Sequence, residues 1–577
     1  MSVGSHAHAA PRGHAVRLLA AVLALVTAAL LLAVAFRPAA HVYDTPLTED
    51  GYYALAVARN VAAGKGVTID GERLTNGFQP LFTFIEAGAY KLAAGDEALA
   101  VRLTIGAAWL MHVLAALIIG LIARDAWPAA PGLDGEGERR LRFTLGVLLY
   151  LASPFIAGHA YNALETGCVM FFYALAWRLA QNGTDRTWSG LVVYGVVIGL
   201  MVLARIDAAF LAVVLGLNEL RKSRRDGLTT MLARGAVLGL AALAVSSPWW
   251  IYNTVYFGSP MPTSGTAQQL WALEWQRFED ADRAIRMAAV PWLFLGSFEF
   301  YQLCGALAGG FDLCTVYYVP WPLGSGAVAI TAIGVARTAA VIAIVLLFWR
   351  AVRRGTLKSD RAAADDAQRE TTRRTLEFAM CFAIAMAGLV VYYTLSFVAY
   401  WFYYRYFAPL AVFACVFIAI AWARLIARGT SPALHAVIAV ALAVQTGWIA
   451  IASQWGGGIG GNTVYHDQVA LARRYVPEGE RVAGGQTGTL GYFHPRVVNL
   501  DGKVNRDALA YQEHMWDYLR AQNIKWFIDW PHYVRKYLGV PLDDQDVPLK
   551  AANGWRFVAE QNYFYVYEYV GEGTPTK

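Results

Sequence analysis

Charge is scarce in this chain: Asp, Glu, Lys and Arg make up 16% of its 577 residues, where an ordinary globular protein carries about a quarter. With 57% hydrophobic residues and a mean hydropathy of +0.39, a mostly soluble protein is excluded. Cysteine is short too. The five residues Cys168, Cys304, Cys314, Cys381 and Cys415 show no CxxC or Cys/His spacing, which excludes a zinc module and a disulfide scaffold. Only Cys304 and Cys314 are placed to pair, within one oxidising loop. No repeat recurs at a fixed period, which removes solenoids and weakens inverted-repeat transporters. Negative charge is the rarer sign and leaves a net +6. The basic residues lie in short clusters between apolar runs, so they mark topology and not a nucleic-acid surface.

What the chain does have is long apolar runs. Spans are expected at 17–36, 98–123, 142–158, 165–181, 189–204, 206–220, 229–250, 326–349, 375–398, 406–427 and 431–452, an α-helical polytopic membrane protein of about eleven spans. Residues 189–220 are too long for one span, and Arg205 with Asp207 near the middle is most cheaply placed at an outer surface between two short helices. The first run has an apolar core longer than a signal peptide uses and reads as a retained anchor. A cytoplasmic amino terminus puts Arg139–Arg140–Arg142, Arg221–Lys222 with Arg224–Arg225, Arg350 with Arg353–Arg354, Arg373–Arg374, and Arg424 with Arg428 inside.

That topology leaves loop 37–97, loop 251–325 and the tail outside the membrane. The expected division is a membrane domain over 1–452 and an extracytoplasmic α/β domain over 453–577. In the first loop two amphipathic stretches, Tyr52–Ala63 and Pro80–Ala94, are expected to lay aromatic and Leu faces on the membrane interface. The tail alternates helical periodicity (Val464–Tyr475, Ala508–Ala521) with strand-like runs (Arg481–Ala483, Val497–Asn499, Trp526–Ile528, Tyr563–Tyr569). Loop 251–325 is rich in aromatics such as Trp271, Trp275 and Trp292, which suit an interfacial helix or the faces of sugars and isoprenoid chains.

Charged residues near a membrane are expensive, and here those outside the cytoplasmic clusters gather on the outer side. Asp44, then the adjacent Glu49 and Asp50, precede the helix that opens at Gly51. A carboxylate there suits a general base or a metal ligand, but from the local residues alone Asp50 reads first as a plain N-cap. The order of further residues is specific: "EDGYYALAVARNVAAGKGVTIDGERLTNGFQPLF", then "NALET" at Asn162–Thr166, "ARID" at Ala204–Asp207, "YFGSPMPTSG" at Tyr256–Gly265, "YYRYFAPL" at Tyr403–Leu410 and "VVNLDGKVN" in the tail. This series, from about Asp44 to Asn505, resembles bacterial GT-C glycosyltransferases of the arabinosyl- and mannosyltransferase-like kind. The chain departs from the usual pattern in Glu49–Asp50, where Asp–Asp is common, and in Phe82, where Trp is usual.

The resemblance implies sugar transfer from a polyprenyl-phosphate donor to an envelope glycan, lipid or protein on the outer face of the bacterial inner membrane. It points to Asp50 as the base for the acceptor hydroxyl, with Glu49 or Asp44 in reserve. Arg405, in an aromatic segment, reads as the cation for the donor phosphate or as an interfacial anchor. Arg205 with Asp207 suits a buried supporting pair. Glu165 fits a sugar contact or a loop tether, and Asn76 and Gln79 fit sugar hydroxyls, although Asn76–Gly77 also reads as a turn. His494 and Asp501 are candidates for an acceptor cleft or for ordinary solvated and core positions. No metal ligands are assigned. The resemblance leaves room for a divalent ion, Mg or Mn, which some family members employ, typically those with diphosphate donors. The competing readings are a transporter or flippase of polyprenyl-linked glycans, which needs polar residues at mid-membrane, and a non-catalytic envelope scaffold, which needs no acid in the first loop.

Overall fold

The structure, a computed structural model, describes residues 9–44, 46–129, 135–278, 366–396, 403–427 and 463–571 except Asp544, with isolated positions between 431 and 443. The expected spans at 326–349 and 431–452, the Cys304–Cys314 pair and most of loop 251–325 lie wholly or largely outside the described residues.

The helices are α1 (Ala9–Ala33), α2 (Glu49–Ala62), α3 (Pro80–Ala93), α4 (Glu97–Asp125), α5 (Gly135–Leu151), α6 (Pro154–Ala160), α7 (Thr166–Asn182), α8 (Trp188–Ala204), α9 (Ala209–Ser223), α10 (Leu228–Phe257), α11 (Thr263–Phe278), α12 (Asp366–Ser396), α13 (Pro409–Ala427) and α14 (Thr463–Tyr475). Their ends follow local chemistry. Asp96 caps α4 by accepting from the Leu99 N–H at 2.9 Å, and Thr187 caps α8 by accepting from Gly190 at 3.1 Å. Five stretches, His14–Phe36, Glu97–Asp125, Leu228–Phe257, Asp366–Tyr393 and Pro409–Ala427, are long and apolar enough to cross a membrane. Along α10, Leu228, Leu232, Leu240, Leu243, Ile251 and Val255 are each more than half exposed, a surface that hydrocarbon accepts and water does not. The chain is a helical polytopic membrane protein.

Three expectations need correction. The run 142–158 is not one helix: α5 stops at Leu151, and Ser153 caps α6 through the Ile156 N–H at 3.2 Å, with Pro154 in the first turn. The aromatic face of α2 does not lie on the bilayer, because Tyr52, Tyr53 and Leu55 are buried inside the protein. Between α8 and α9 the chain breaks as expected, yet Arg205 is 2% exposed and enclosed by protein, not by water.

The tail is an α/β unit. Strands β1 (Val482–Gly484), β2 (Val497–Asn499), β3 (Trp526–Asp529), β4 (Ala551–Ala552), β5 (Trp555–Gln561) and β6 (Phe564–Tyr569) form one sheet in the order β2-β1-β3-β6-β5-β4. The first three are parallel and the rest antiparallel. Period-two alternation sorts the two faces: Trp526, Ile528, Phe564 and Val566 pack with Val469 and Ala472 of α14, whereas Phe527, Tyr565 and Tyr567 pack with Tyr533, Val534 and Tyr537. The expected helix over 508–521 is two short ones, Arg506–Ala510 and Met515–Ala521, because Gln512 turns back to the Leu500 carbonyl at 2.7 Å.

The tail closes directly onto the first loop. A Cβ on Gly488 would stand 2.1 Å from the Glu49 carbonyl oxygen, so only glycine admits this approach. Gly488→Ala is expected to lower stability by about 1–3 kcal/mol. Gly491→Ala, whose nearest neighbour would be 4.0 Å away, serves as the control. Comparison of the two unfolding temperatures in detergent checks this, and equal values would refute the contact.

Candidate active site

The parallel strands β1, β2 and β3 set the site, because each delivers residues from its carboxyl end toward α2. Gln486 follows β1, Asp501 and Lys503 follow β2, and Trp530, His532 and Tyr533 follow β3; all line cavities. The rim outside the carboxyl ends of parallel strands is where open α/β sheets bind ligands.

Two cavities adjoin there. One of about 550 Å³ runs among the helices and is lined by Phe82, Phe210, Trp250, Tyr392, Tyr393 and Tyr406, with Arg205, Asp207, Glu165 and Gln79 at its polar end. The other, about 670 Å³, lies between the first loop and the tail and is lined by Trp271, Tyr465, Trp530 and Tyr533 with Gln486, Asn162, His159 and Asp501. Asp50, Leu164, Gln268, Arg405 and Lys503 line both. A carboxylate and two cations therefore stand on the boundary between an apolar-walled space and an aromatic-walled one.

Asp50 does not cap its helix; Thr48 holds that position, and Asp50 lies in the first turn of α2. Its carboxylate pairs with Arg405 at 3.3 Å. Burial pushes this carboxyl up, but Lys503 and Arg405 outweigh burial and hold it below its ordinary value, so it stays ionised at neutral pH. Lys503 pairs with Asp501 at 3.3 Å. Burial lowers its ammonium and the neighbouring Asp501 and Asp50 more than offset that, so it stays charged.

Glu49, one residue earlier, points the opposite way. Its Oε1 accepts from the Gly488 N–H, and its Oε2 accepts from the Thr489 N–H at 2.9 Å and from the Thr489 hydroxyl. Burial pushes this carboxyl up to about 7 against those hydrogen bonds. With both oxygens occupied, Glu49 clamps the tail onto α2. Tyr53 extends the clamp, its hydroxyl accepting from the Thr487 N–H at 2.9 Å and from the Asn499 amide at 3.2 Å. Asp529 repeats the device at the end of β3, accepting from Gly485, Gln486 and Trp530 N–H groups, with burial raising it to about 8.

The helical side of the site is framed by Arg205. It pairs with Asp207 at 2.9 Å, lies 3.8 Å from Glu165 and donates to the Arg405 carbonyl at 2.8 Å. Its guanidinium stacks over Tyr406 at 4.4 Å, and Tyr393 donates to Asp207 at 2.8 Å. Gln79 accepts from the Ile206 N–H at 3.1 Å, so its amide oxygen fixes the break between α8 and α9. Asn76 is fully buried and accepts from the Thr263 N–H at 3.0 Å and hydroxyl at 2.8 Å, which holds the start of α11.

Of the residues chosen from sequence, Asp50, Arg405, Arg205, Glu165, Gln79 and Asp501 come together around these cavities, and Glu49 lines the second. Three do not line either: Asp44, which pairs with His41 at 2.8 Å, Asn76, and His494, whose ring nitrogen faces the Pro495 carbonyl at 2.7 Å. Sequence reasoning missed Lys503, Gln268, Trp530 and Tyr533. Lys503 had a signal, since it follows the Asp501–Gly502 turn inside a motif already singled out; the others had none. A carboxyl on α3, Glu86, was missed too: it is fully buried, neither oxygen has a hydrogen-bond partner, and burial with nearby Glu165 holds it well above its ordinary value.

The described residues contain no group of three His, Cys, Asp or Glu side chains able to hold a metal ion. Asp50 and Glu49 are engaged by Arg405 and by the 488–489 backbone, so these carboxylates do not suit a divalent ion.

A family profile described as a domain of unknown function (DUF8728) matches residues 459–573. No curated protein sequence matches the chain. Among solved structures, ArnT from Cupriavidus metallidurans bound to undecaprenyl phosphate is 15% identical with a TM-score of 0.46, covering 97% of this chain and 99% of its own. The apo state of that protein is 16% identical with a TM-score of 0.44, covering 95% and 97%.

The Glu49 clamp predicts a pH dependence. Because its folded-state value near 7 lies above the ordinary 4.5, its contribution is present below pH 4.5 and is lost as pH rises through 7. Glu49→Gln is expected to unfold at a lower temperature at acid pH, since an amide nitrogen meets the Thr489 N–H, and to narrow its deficit as pH rises from 4.5 to 7.5. Asp529 adds a slope of the same sign to both proteins, so the difference between their unfolding curves isolates Glu49. A difference independent of pH would refute the assignment.

Proposed function

We propose that the chain is a membrane glycosyltransferase of the GT-C class, moving a sugar from a polyprenyl-phosphate donor to an envelope glycan, lipid or protein on the outer face of the bacterial inner membrane. The observation that carries this reading is the meeting of two unlike cavities at Asp50, Arg405 and Lys503. A lipid-linked donor needs an apolar space that ends in cations; a sugar-bearing acceptor needs aromatic faces with hydrogen-bonding groups between them. The two chambers supply one each.

In the proposed reaction the acceptor oxygen attacks the anomeric carbon while its proton passes to Asp50. The bond from that carbon to the phosphate oxygen breaks, and its electron pair leaves with the polyprenyl phosphate, whose charge Arg405 and Lys503 receive. Arg405 is suited to the phosphate because its fork matches two oxygens, and departure of its Asp50 partner's charge on protonation leaves it free to turn to the leaving group. A single displacement inverts the anomeric centre; Glu49 is held by the clamp and offers no nucleophile. Arg205, Asp207, Glu165 and Gln79 position Arg405 and the turn beside it, and Asp501 holds Lys503.

The test is transfer in vitro with purified chain and a panel of pentose, hexose and aminosugar polyprenyl phosphates. Asp50→Asn is expected to lower the rate by about 10²–10⁴-fold with donor KM little changed. Arg405→Ala and Lys503→Gln are expected to raise donor KM as well. Full transfer by Asp50→Asn would remove the base from this mechanism, and unaltered donor KM in both cation variants would remove the phosphate site.

A further inference from the structure

A third cavity, of about 770 Å³, lies at the far ends of the helices that build the candidate site. Helix α8 runs from Trp188, which touches the cavity-lining Arg234, to Ala204 beside Arg205, α9 returns from Ala209 to Ser223, α10 leads from Leu228 back to Trp250, and α12 connects Arg373 to Tyr393. A helix the length of α8 spans about 25 Å, so the two regions are separated by most of a bilayer's hydrocarbon depth.

The lining is basic well beyond its own compensation. Eight cations, among them Arg186, Arg224, Arg225, Arg234, Arg373 and Arg374, face four carboxylates, Asp185, Asp226, Glu219 and Glu377. The carboxylates are already shared: Glu219 serves Arg234 at 2.7 Å and Lys222 at 2.9 Å. Just behind the wall Glu370 serves Arg373 at 2.7 Å, Arg374 at 3.0 Å and Arg186 as well. Arg224 and Arg225 make no ion pair among the described residues, and both are exposed. Burial and the nearby Arg374 and Arg373 push the Arg186 guanidinium below its ordinary value. Crowded guanidinia with too few carboxylates are a standing attraction for a multivalent anion.

The surroundings indicate where that anion comes from. Trp188 is half exposed and carries the Arg234 guanidinium 5.6 Å from its ring centroid, the arrangement of an interfacial aromatic. Leu217, Leu228 and Leu232, on the same helix ends, are each more than half exposed. The cavity thus sits where apolar surface gives way to charge.

We propose that this cavity is a binding site for a phosphate-bearing anion, presented by the headgroup of an anionic phospholipid in the surrounding bilayer. Basic pockets between membrane helices take diphosphate-bearing or phosphate-diester headgroups in this way. The proposal does not depend on the sugar-transfer reading, since it concerns the opposite ends of the helices.

The full chain, purified in detergent, is titrated with cardiolipin, with phosphatidylcholine and with inorganic pyrophosphate, and bound ligand is counted by native mass spectrometry. Cardiolipin is expected to bind well above phosphatidylcholine. Removing three of the cations in Arg224→Gln/Arg225→Gln/Arg373→Gln is expected to weaken cardiolipin binding about one hundredfold. Arg140→Gln/Arg369→Gln, which removes exposed cations outside the cavity, is expected to leave it unchanged and reports on nonspecific attraction. Pyrophosphate binding that the triple variant loses, without cardiolipin binding, would keep the phosphate site and overturn the lipid source. Equal cardiolipin affinity in wild type and triple variant, or equal losses in both variants, would overturn the site.

Discussion

A guanidinium sealed from water must be given everything water would have supplied, and Arg205 obtains it from four directions. Asp207 and Glu165 balance its charge, the Arg405 carbonyl accepts one N–H, and the Tyr406 ring covers its face. The partners come from three stretches of chain, so satisfying one side chain fixes the break between α8 and α9, the start of α7, the Tyr403–Tyr406 turn and, through Tyr393, the end of α12. Such a buried network contributes less to net stability than a well-packed apolar replacement would, yet losing any member strands a charge. Its service is positional. It holds the backbone of Arg405 while leaving that residue's own guanidinium directed at Asp50.

The other half of the site depends on backbone N–H groups at the ends of parallel strands. Glu49 and Asp529 each consume N–H groups that a loop would otherwise leave to water: Asp529 ties the end of β3 to the turn after β1, and Glu49 draws the segment that follows against α2. Neighbouring residues in sequence are thereby assigned opposite work. Glu49 faces the tail and is spent on docking it, whereas Asp50, rotated by the helix to the next direction, faces the cavities.

How far the residues announced this arrangement varied with the kind of signal. Apolar runs bounded by charge were legible as helices, and the interruption at Arg205 was legible because an ion pair inside a long apolar stretch demands a break. The four strand-like runs of the tail lie within a residue or two of β1, β2, β3 and β6, since short β-branched and aromatic runs between turn residues have few other uses. Strands β4 and β5 escaped notice because Ala551–Ala552 has no strand character and Trp555–Gln561 alternates only weakly. The burial of α2 was misread for a general reason: an amphipathic helix shows which face is apolar but not whether lipid or another part of the protein covers it. Trp530 was unreadable as a wall of the cavity at Asp50, and the motif around Lys503 did not say that its ammonium balances Asp50, because proximity across more than 450 residues leaves no trace in local pattern.

That long reach has a consequence for how the protein comes into being. Asp50 emerges early in synthesis, while Arg405 and Lys503, which balance it, emerge after most of the membrane helices and near the start of the final sheet. Until the last fifth of the chain has been made and folded, Asp50 has Arg405 but not Lys503, the cavity beside it is unclosed, and Glu49 lacks its Gly488 and Thr489 partners. Completion of the tail is therefore also the moment of assembly: the last residues to be synthesised are the ones that finish the surroundings of the first carboxylates to emerge.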